Sequence, residues 1–517
     1  MLRKLPLSGV QTFADVINDF AVYVDKTAYV HKMISNYKSV FFARPRRFGK
    51  SLTCSTLKTV FENKKDLFKG LAIETLPWEW KEYPVVHLDM SAENFMAGKE
   101  RLVSLIDGDL NFYAKKYDVS LADDFISKKF KELLKALYAS KGKVAIIIDE
   151  YDCPLLDTLD RPEIHSDIKE ELRGFYKVLK ECDQCIQFVF ITGITKFSQV
   201  SLFSGMNQPE DISLSTDYAA LCGFTQNELE IYFDLEINEY SKKFGGRENY
   251  LARLKNYYNG YKFSDEADKV YNPISVMKHF GNDGHFRAFW GETGTPSFLA
   301  KFIDKNGADI ADIENMEFSA EAFGKYNSDK ISLVPLMYQA GYLTIKDYDS
   351  EFGTYKLGYP NVEVRRSFSE FLSEQYSSLD AIKQASNINK LMRALQAGDV
   401  DTFMEMIKIY MQSVKFDLIT KMTEYYFEFA FANILNMLGV SCEIEVHSAV
   451  GNVDAVIKFQ KNVFVIEAKL DKPVETALKQ IEEKKYYVPY LEKGCKIFKI
   501  GVVFGEKERN VVEWKTA

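Results

Sequence analysis

The chain has 517 residues, 46% of them hydrophobic and 27% charged, with a formal net charge of −8. That length leads us to expect roughly two to four domains with ample core, and the composition is ordinary for a soluble globular protein. The acidic balance gives no global argument for gripping nucleic acid, so any such claim must rest on a local site. Met1-Leu-Arg-Lys-Leu-Pro-Leu-Ser-Gly lacks the sustained apolar segment of a signal peptide, and no run approaches the roughly 18 apolar residues of a membrane span. Seven scattered cysteines, an odd number, point to a reduced cytoplasm, and the lone Cys182-Asp-Gln-Cys185 has no second pair with which to hold a metal.

Residues 1–38 read as a leader, with a short strand-like run at Phe20–Val24, a polar turn, and a helix to about Tyr37. Next comes Val40-Phe-Phe-Ala-Arg44-Pro-Arg46-Arg47-Phe48-Gly49-Lys50-Ser51: a short buried strand, a loop, and then an amphipathic helix to about Phe61. A strand, a loop ending Gly-Lys-Ser and a helix form the layout of a phosphate-binding loop. The N–H groups at a helix start attract anionic oxygens, Lys50 reaches toward β- and γ-phosphates, and the Ser51 hydroxyl suits Mg²⁺. The pattern wants Gly at position 44, where this chain has Arg44, and an ordinary strand–turn–helix is the alternative.

Pro84–Asp89 reads as another buried strand, followed by helices near 97–116 and 122–139. Val144-Ala-Ile-Ile-Ile-Asp149-Glu150-Tyr151-Asp152 is an apolar strand ending in carboxylates, at the end where open α/β sheets place ligands. Asp149 suits Mg²⁺ coordination and Glu150 suits polarising an attacking water. A strand between loop and acidic strand, and a Glu directly after the Asp, are typical of additional-strand ATPases. A helix near 165–182 leads to Ile186–Gly193, where Thr192 is positioned either to sense a γ-phosphate or simply to end the strand.

Residues 225–330 look helical with aromatic turns, and 331–417 mix helices with a hairpin from Tyr342–Lys346 to Tyr355–Gly358, a winged-helix-like pattern. The last hundred residues give a helix from Thr423, strands at Glu443–His447, Val453–Phe459 and Val463–Leu470, a helix at 474–490 and a strand at Ile497–Phe504. Alternate strand residues share a face, so Glu467 and Lys469 project together, and Asp454 on the neighbouring antiparallel strand meets them. Two converging carboxylates with a Lys suit a Mg²⁺ site, and Glu424 and Gln480 on flanking helices are positioned to line it. A Glu-x-Lys pair is also common on an edge strand. Residues 421–517 hold 14 Lys plus Arg against 14 Asp plus Glu, a balance of zero that a duplex-gripping domain rarely has.

These residues resemble the bacterial AAA-ATPase-like family that carries a C-terminal PD-(D/E)XK nuclease domain. The likeness runs through Tyr23-Val-Asp-Lys-Thr27, Arg44-Pro-Arg-Arg-Phe-Gly-Lys-Ser51, Asp149-Glu-Tyr-Asp152, Phe203-Ser204, Asn259-Gly-Tyr261, Tyr271-Asn-Pro273, Tyr359-Pro-Asn361 with Glu363-Val364, Asp454, Glu467-Ala-Lys469 and Gln480. Arg44 in place of the first Gly is how this family looks. The resemblance implies an α/β chain: an additional-strand P-loop ATPase domain at 1–224, a helical lid and winged-helix-like region at 225–417, and a restriction-endonuclease-like domain at 418–517. It supports ATP held by the loop, where the candidate residues are Arg46, Arg47, Phe48, Gly49, Lys50, Ser51, Asp149 and Thr192, with Glu150 polarising the water; Arg46 and Arg47 also read as ordinary exposed arginines beside the loop. It implies Asp454 and Glu467 as metal ligands, Lys469 as the catalytic lysine, and Glu424 and Gln480 in support. Where members of the family often carry Gly-Arg before the Asp, this chain has Gly451-Asn452-Val453. The expected partner is nucleic acid, DNA ahead of RNA, with no membrane; a homo-oligomer fits a class that often forms rings, although no arginine finger is identifiable. The alternative is an ATP-dependent signalling or scaffold switch whose nuclease-like domain binds without cutting.

Overall fold

The computed structural model describes residues 4–5, 10–20, 22–91, 94–196, 202–203, 208–291, 317–319, 333–376, 381–413, 441–448, 451–459, 461–508 and 510–517. They divide into two compact units that part between Asn361 and Val362, with Trp290 and Gly291 belonging to the second.

In the first unit, strands β1 (Ser39–Ala43), β2 (Val85–Asp89), β3 (Val144–Asp149), β4 (Ile186–Gly193) and β5 (Glu210–Asp211) form one sheet in the order β2-β3-β4-β1-β5. Every pairing is parallel, and β4 is the additional strand between the loop strand β1 and the acidic strand β3. Parallel strands covered on both faces read as unbroken apolar runs, and every residue of β3 is buried. Phe41, Ala43, Val86, Leu88, Ile146 and Ile148 pack one face against three helices, α4 (Lys99–Tyr117), α5 (Ile126–Lys141) and α7 (Pro162–Glu181). On the other face, α3 (Lys50–Phe61) buries Cys54, Leu57, Val60 and Phe61, with the Phe61 ring 5.5 Å from that of Phe188 on β4. Residues 22–26 form no strand, and helix begins at Thr27.

The aromatic turns of the middle segment have two structural roles. Helices at Gln226–Tyr232, Arg247–Tyr258 and Pro273–Gly281 enclose a ring cluster around buried His279. There the Tyr250 hydroxyl lies 2.6 Å from His279 Nε2 and the Phe286 ring 4.5 Å from the imidazole. Tyr261 and Phe263 meet Phe48 of the phosphate loop edge-on, at 4.8 and 5.3 Å between centroids. Gly260 positions that turn: at φ +111° an added Cβ would lie 2.0 Å from the Pro360 carbonyl oxygen, and Asn361 Nδ2 donates to the Asn259 carbonyl at 2.8 Å. The later hairpin is β7 (Thr344–Asp349) with β8 (Thr354–Gly358), extended by β6 (Glu317–Ser319) to a three-stranded antiparallel sheet.

Arg44 is 2% exposed. Its guanidinium donates to the carbonyls of Ala43 (2.9 Å), Ser213 (2.6 Å) and Tyr218 (3.2 Å), and lies between the rings of Phe42 (4.3 Å) and Phe263 (4.1 Å). Burial lowers its pKa to about 10. Desolvating a guanidinium costs several kcal/mol; charge-assisted bonds of about 1.5–3 kcal/mol each and cation–π contacts of about 2 kcal/mol offset it.

In the second unit, β9 (Ser441–Ser448), β10 (Gly451–Phe459), β11 (Asn462–Leu470), β12 (Lys496–Gly505) and β13 (Asn510–Thr516) lie in the order β13-β12-β11-β10-β9. The pairs β9/β10, β10/β11 and β12/β13 are antiparallel and β11/β12 is parallel, bridged in sequence by α16 (Val474–Lys484). Alternation splits the two faces. Ala455, Ile457, Phe464, Ile466 and Ala468 pack on α14 (Ala381–Ala397) and α15 (Val400–Ser413). Val456, Val463 and Val465 pack against Ile481 of α16. Gly501 lets α16 lie close, since a Cβ there would meet Val474 O and Leu478 Cγ at 3.0 Å. The helix stops at Lys484 rather than 490, because Lys485 turns left-handed at φ 53° and Pro489 follows in a 3₁₀ turn.

Two stability outcomes follow. Gly260→Ala forces a side chain into a left-handed position against a backbone carbonyl and should cost about 1–3 kcal/mol, read as a lower urea midpoint. Arg44→Gly restores the residue an ordinary phosphate loop carries, yet it orphans the Ser213 and Tyr218 carbonyls and leaves a cavity; a loss of about 2–4 kcal/mol is expected in the same assay.

Candidate functional site

The phosphate-loop site is built where β1 and β3 end under the start of α3. Gly49, at φ +104°, is the residue before α3, and no side chain caps it; Arg47 is also left-handed, at φ 71°. The loop thus turns sharply enough to aim the first N–H groups of α3 outward over the strand ends. Lys50 is 3% exposed; its Nζ lies 3.2 Å from Glu150 Oε1 and 3.4 Å from the Pro45 carbonyl. Burial works against the ammonium charge, but Glu150, Asp149 and Asp152 outweigh it and raise the pKa.

Asp149 is 2% exposed. Burial, then Glu150, raises its pKa to about 6, against the pull of Lys50 and a hydrogen bond from Ser51. Ser51 at the start of α3 and Asp149 at the end of β3 offer a hydroxyl and a carboxylate, which is the donor set a hard cation takes. Glu150 is left-handed at φ 49° and remains partly exposed.

The remaining residues expected here divide. Thr192 is fully buried, and its hydroxyl donates to the Phe42 carbonyl at 2.6 Å, tying β4 to β1. Phe48 is buried against the aromatic turn, Arg46 is exposed and Arg47 half-buried. Sequence reasoning quoted Asp152 but gave it no role. It is fully buried and accepts from Ile194 N (3.2 Å), Thr195 N (2.7 Å) and Thr195 Oγ1 (2.6 Å), bracing the acidic turn against the end of β4. Gly193 permits that approach, because a Cβ would sit 2.3 Å from Asp152 Oδ1. A Thr-Gly-x-Thr run after a buried strand was the available signal.

In the second unit, the pairing of Ala455 with Ile466 sets Asp454 across from Glu467. Both share the face of Val456 and Val465, the one α16 covers. Asp454 Oδ2 accepts from Ala468 N at 2.7 Å, and Lys469 Nζ lies 2.7 Å from Glu467 Oε1. Glu467 is 1% exposed and its Oε2 has no hydrogen-bond partner. Burial, then the Asp454 charge, raises its pKa to about 7, although Lys469 pulls it down. A buried carboxylate oxygen without a partner, facing a second carboxylate, is a donor set that a divalent cation would satisfy. Gln480 is half-buried on α16. Asn452 pairs with His447 across β9 and β10, and Glu424 lies outside the described residues.

Comparison with known proteins finds a family model for each of the two domains. Residues 7–203 match the family model described as "Predicted AAA-ATPase", and residues 422–514 match that of the PD-(D/E)XK nuclease superfamily. An uncharacterized protein of the vnfD 5′ region of Azotobacter chroococcum mcd 1 is 32% identical over 524 aligned positions, covering 99% of this chain and 98% of the relative. The Aeropyrum pernix ORC1 protein, solved in complex with DNA, aligns over 94% of this chain and 98% of its own at 10% identity and a TM-score of 0.24, a likeness too slight to carry an argument. The chain belongs to the AAA-ATPase-like family whose members carry a C-terminal PD-(D/E)XK nuclease-superfamily domain.

Proposed function

We propose that the protein binds and hydrolyses ATP and that its C-terminal domain is a Mg²⁺-dependent nuclease acting on DNA or RNA phosphodiesters, DNA ahead of RNA. The observation that carries this reading is the Asp454–Glu467–Lys469 cluster, in which one buried Glu467 oxygen has no partner.

At the phosphate loop, Lys50 and the N–H groups at the start of α3 hold the phosphates, while Ser51 and Asp149 would hold Mg²⁺. When Lys50 turns to a phosphate it leaves Glu150, whose carboxylate is then free to take a proton from the attacking water. Arg46 and Arg47 flank the phosphates from the loop. In the C-terminal domain, Asp454 and Glu467 would hold the cation, with Gln480 and Glu424 in support. Lys469 orients the attacking water and offsets charge on the phosphate. Bound Mg²⁺ supplies a water of lowered pKa and neutralises phosphate oxygens.

A second reading, a nucleotide-dependent switch whose nuclease-like domain binds without cutting, draws support from Asn452 at a position the family often gives to Arg. The zero charge balance of residues 421–517 also favours it. The separating experiment presents single- and double-stranded DNA and RNA with Mg²⁺ or Mn²⁺, with and without ATP. Cleavage that Asp454→Ala abolishes supports the nuclease; ATP turnover with no cleavage on any substrate supports the switch.

Three substitutions should separate the two centres. Glu150→Gln lowers ATP hydrolysis by about 10²–10⁴-fold with ATP binding retained. Lys50→Ala abolishes ATP turnover, whereas Lys469→Ala abolishes cleavage and leaves it intact. A pH outcome follows from Glu467, whose pKa rises from 4.5 to about 7. The folded chain holds a proton there that the unfolded chain has released, so the metal-free domain loses stability as pH climbs from the ordinary carboxylate range through about 7. Mg²⁺ binds the ionised form, so it should raise the melting temperature more above about pH 7 than below it. An Mg²⁺ shift independent of pH would exclude Glu467 as a ligand.

A further inference from the structure

Beneath the phosphate loop, on the sheet face that α3 covers, three side chains converge, and the nucleotide reading uses one of them. Cys54 Sγ, a His87 ring nitrogen and an Asp149 carboxylate oxygen lie within 4.8 Å of one another. Helical spacing brings Cys54 there: it stands three residues after Ser51, on the same side of α3. Strand register brings the other two, because His87 pairs with Ile147, two residues before Asp149 on the same face of β3.

Cys54 is fully buried and Asp149 nearly so. His87 is partly exposed, and its buried Nε2 has no hydrogen-bond partner. Burial, then Lys58, lowers the His87 pKa to about 4, so the ring is neutral, the form that ligates metal. Burial likewise keeps the Cys54 thiol protonated. A sulfur, an imidazole nitrogen and one carboxylate make a mixed donor set suited to Zn²⁺, whereas Mg²⁺ takes oxygen.

We propose that Cys54, His87 and Asp149 bind a thiophilic divalent cation such as Zn²⁺, and that its binding takes up the Asp149 carboxylate that the nucleotide site would use. The regulatory half rests on the ATP reading; the metal site does not. Tetrahedral zinc with bonds of about 2.0–2.3 Å sets its ligands roughly 3.5 Å apart. The three groups, now within 4.8 Å of one another, must therefore draw closer, through small shifts of Cys54 and Asp149 as well as of the His87 ring. The Cys54 S–H proton passes to solvent as the S–Zn bond forms, since a coordinating thiol is deprotonated. Water takes the remaining position.

The test titrates the chelator-treated full-length protein with Co²⁺, whose thiolate charge-transfer band reports sulfur ligation, and then with Zn²⁺ to displace it. The band should appear in the native chain and in Cys222→Ser, vanish in Cys54→Ser and fall in His87→Gln. No band, or one that survives in Cys54→Ser, overturns the site. Should Cys54→Ser fail to fold, an unchanged band in His87→Gln overturns it as well. A second arm follows binding of a fluorescent ATP analogue in Mg²⁺. Zn²⁺ should abolish binding to the native chain and spare His87→Gln. Zn²⁺ bound at Cys54 with nucleotide still held overturns the regulatory half. A native chain that binds no nucleotide without Zn²⁺ instead refutes the ATP reading, and the cobalt spectrum still decides the site.

Discussion

The phosphate loop depends on a charge that has nowhere else to go. Among the described residues Arg44 forms no ion pair, so its guanidinium survives burial chiefly through the three carbonyls and two aromatic rings around it, with the Asp211 charge a lesser help. Those partners come from β1, from the segment after β5 and from the aromatic turn at Tyr261–Phe263. The arginine thus fixes three separate stretches of chain against the end of β1. Phe48, at the other end of the loop, inserts into the same turn. In an ordinary phosphate loop glycines supply the conformation; here the loop is clamped at both ends by side chains, and Gly49 alone keeps the glycine role at the helix start.

The two centres solve one electrostatic problem in the same way. Each gathers carboxylates in a poorly solvated place, where like charges raise one another's pKa. Each sets a lysine on the carboxylate that the proposed chemistry needs free: Lys50 on Glu150, Lys469 on Glu467. The lysine partly neutralises the cluster when nothing is bound. An incoming phosphate or cation then exchanges partners with it and does not meet bare charge. The exchange is less complete in the C-terminal domain, where Lys469 covers one Glu467 oxygen and leaves the other. That asymmetry is why the proposed reading rests on the second centre.

Much of this was legible in the chain, and the part that was not has a common cause. The loop strand, the acidic strand, the helix after Ser51 and the Asp454–Glu467–Lys469 face all follow from local periodicity. The interactions that read poorly join residues far apart in sequence: Arg44 with Ser213, Phe48 with Tyr261, Thr192 with Phe42. No window of sequence contains both partners. Thr192 illustrates the limit, since its position at a strand end suited a phosphate sensor, but its hydroxyl is spent on a neighbouring strand. The two-residue β5 and the edge strand β13 were also missed, the first because it is too short to show alternation, the second because Asn510–Thr516 follows a charged turn. Aromatic residues make up 14% of the chain, and the ring cluster around His279 and the clamp on Phe48 give part of that content a structural purpose.

The register of β11 shows why the acidic cluster and the fold of the second unit are inseparable. Residues Val463 through Ala468 are all buried, because helices cover both faces. A strand with only one apolar face resists a one-residue slip, since the slip would expose its core side. β11 has no such protection from its aliphatic residues: either face would bury comparable side chains. Glu467 and Lys469 break the tie. A slip would drive both into the apolar cluster that packs on α14 and α15, at a cost of several kcal/mol for a charge without its partner. It would also break the bond from Ala468 N to Asp454, which spans the pair. The groups that form the candidate site are therefore also the groups that hold the strand in register, and substituting Glu467 by an apolar residue removes a constraint on pairing along with a ligand.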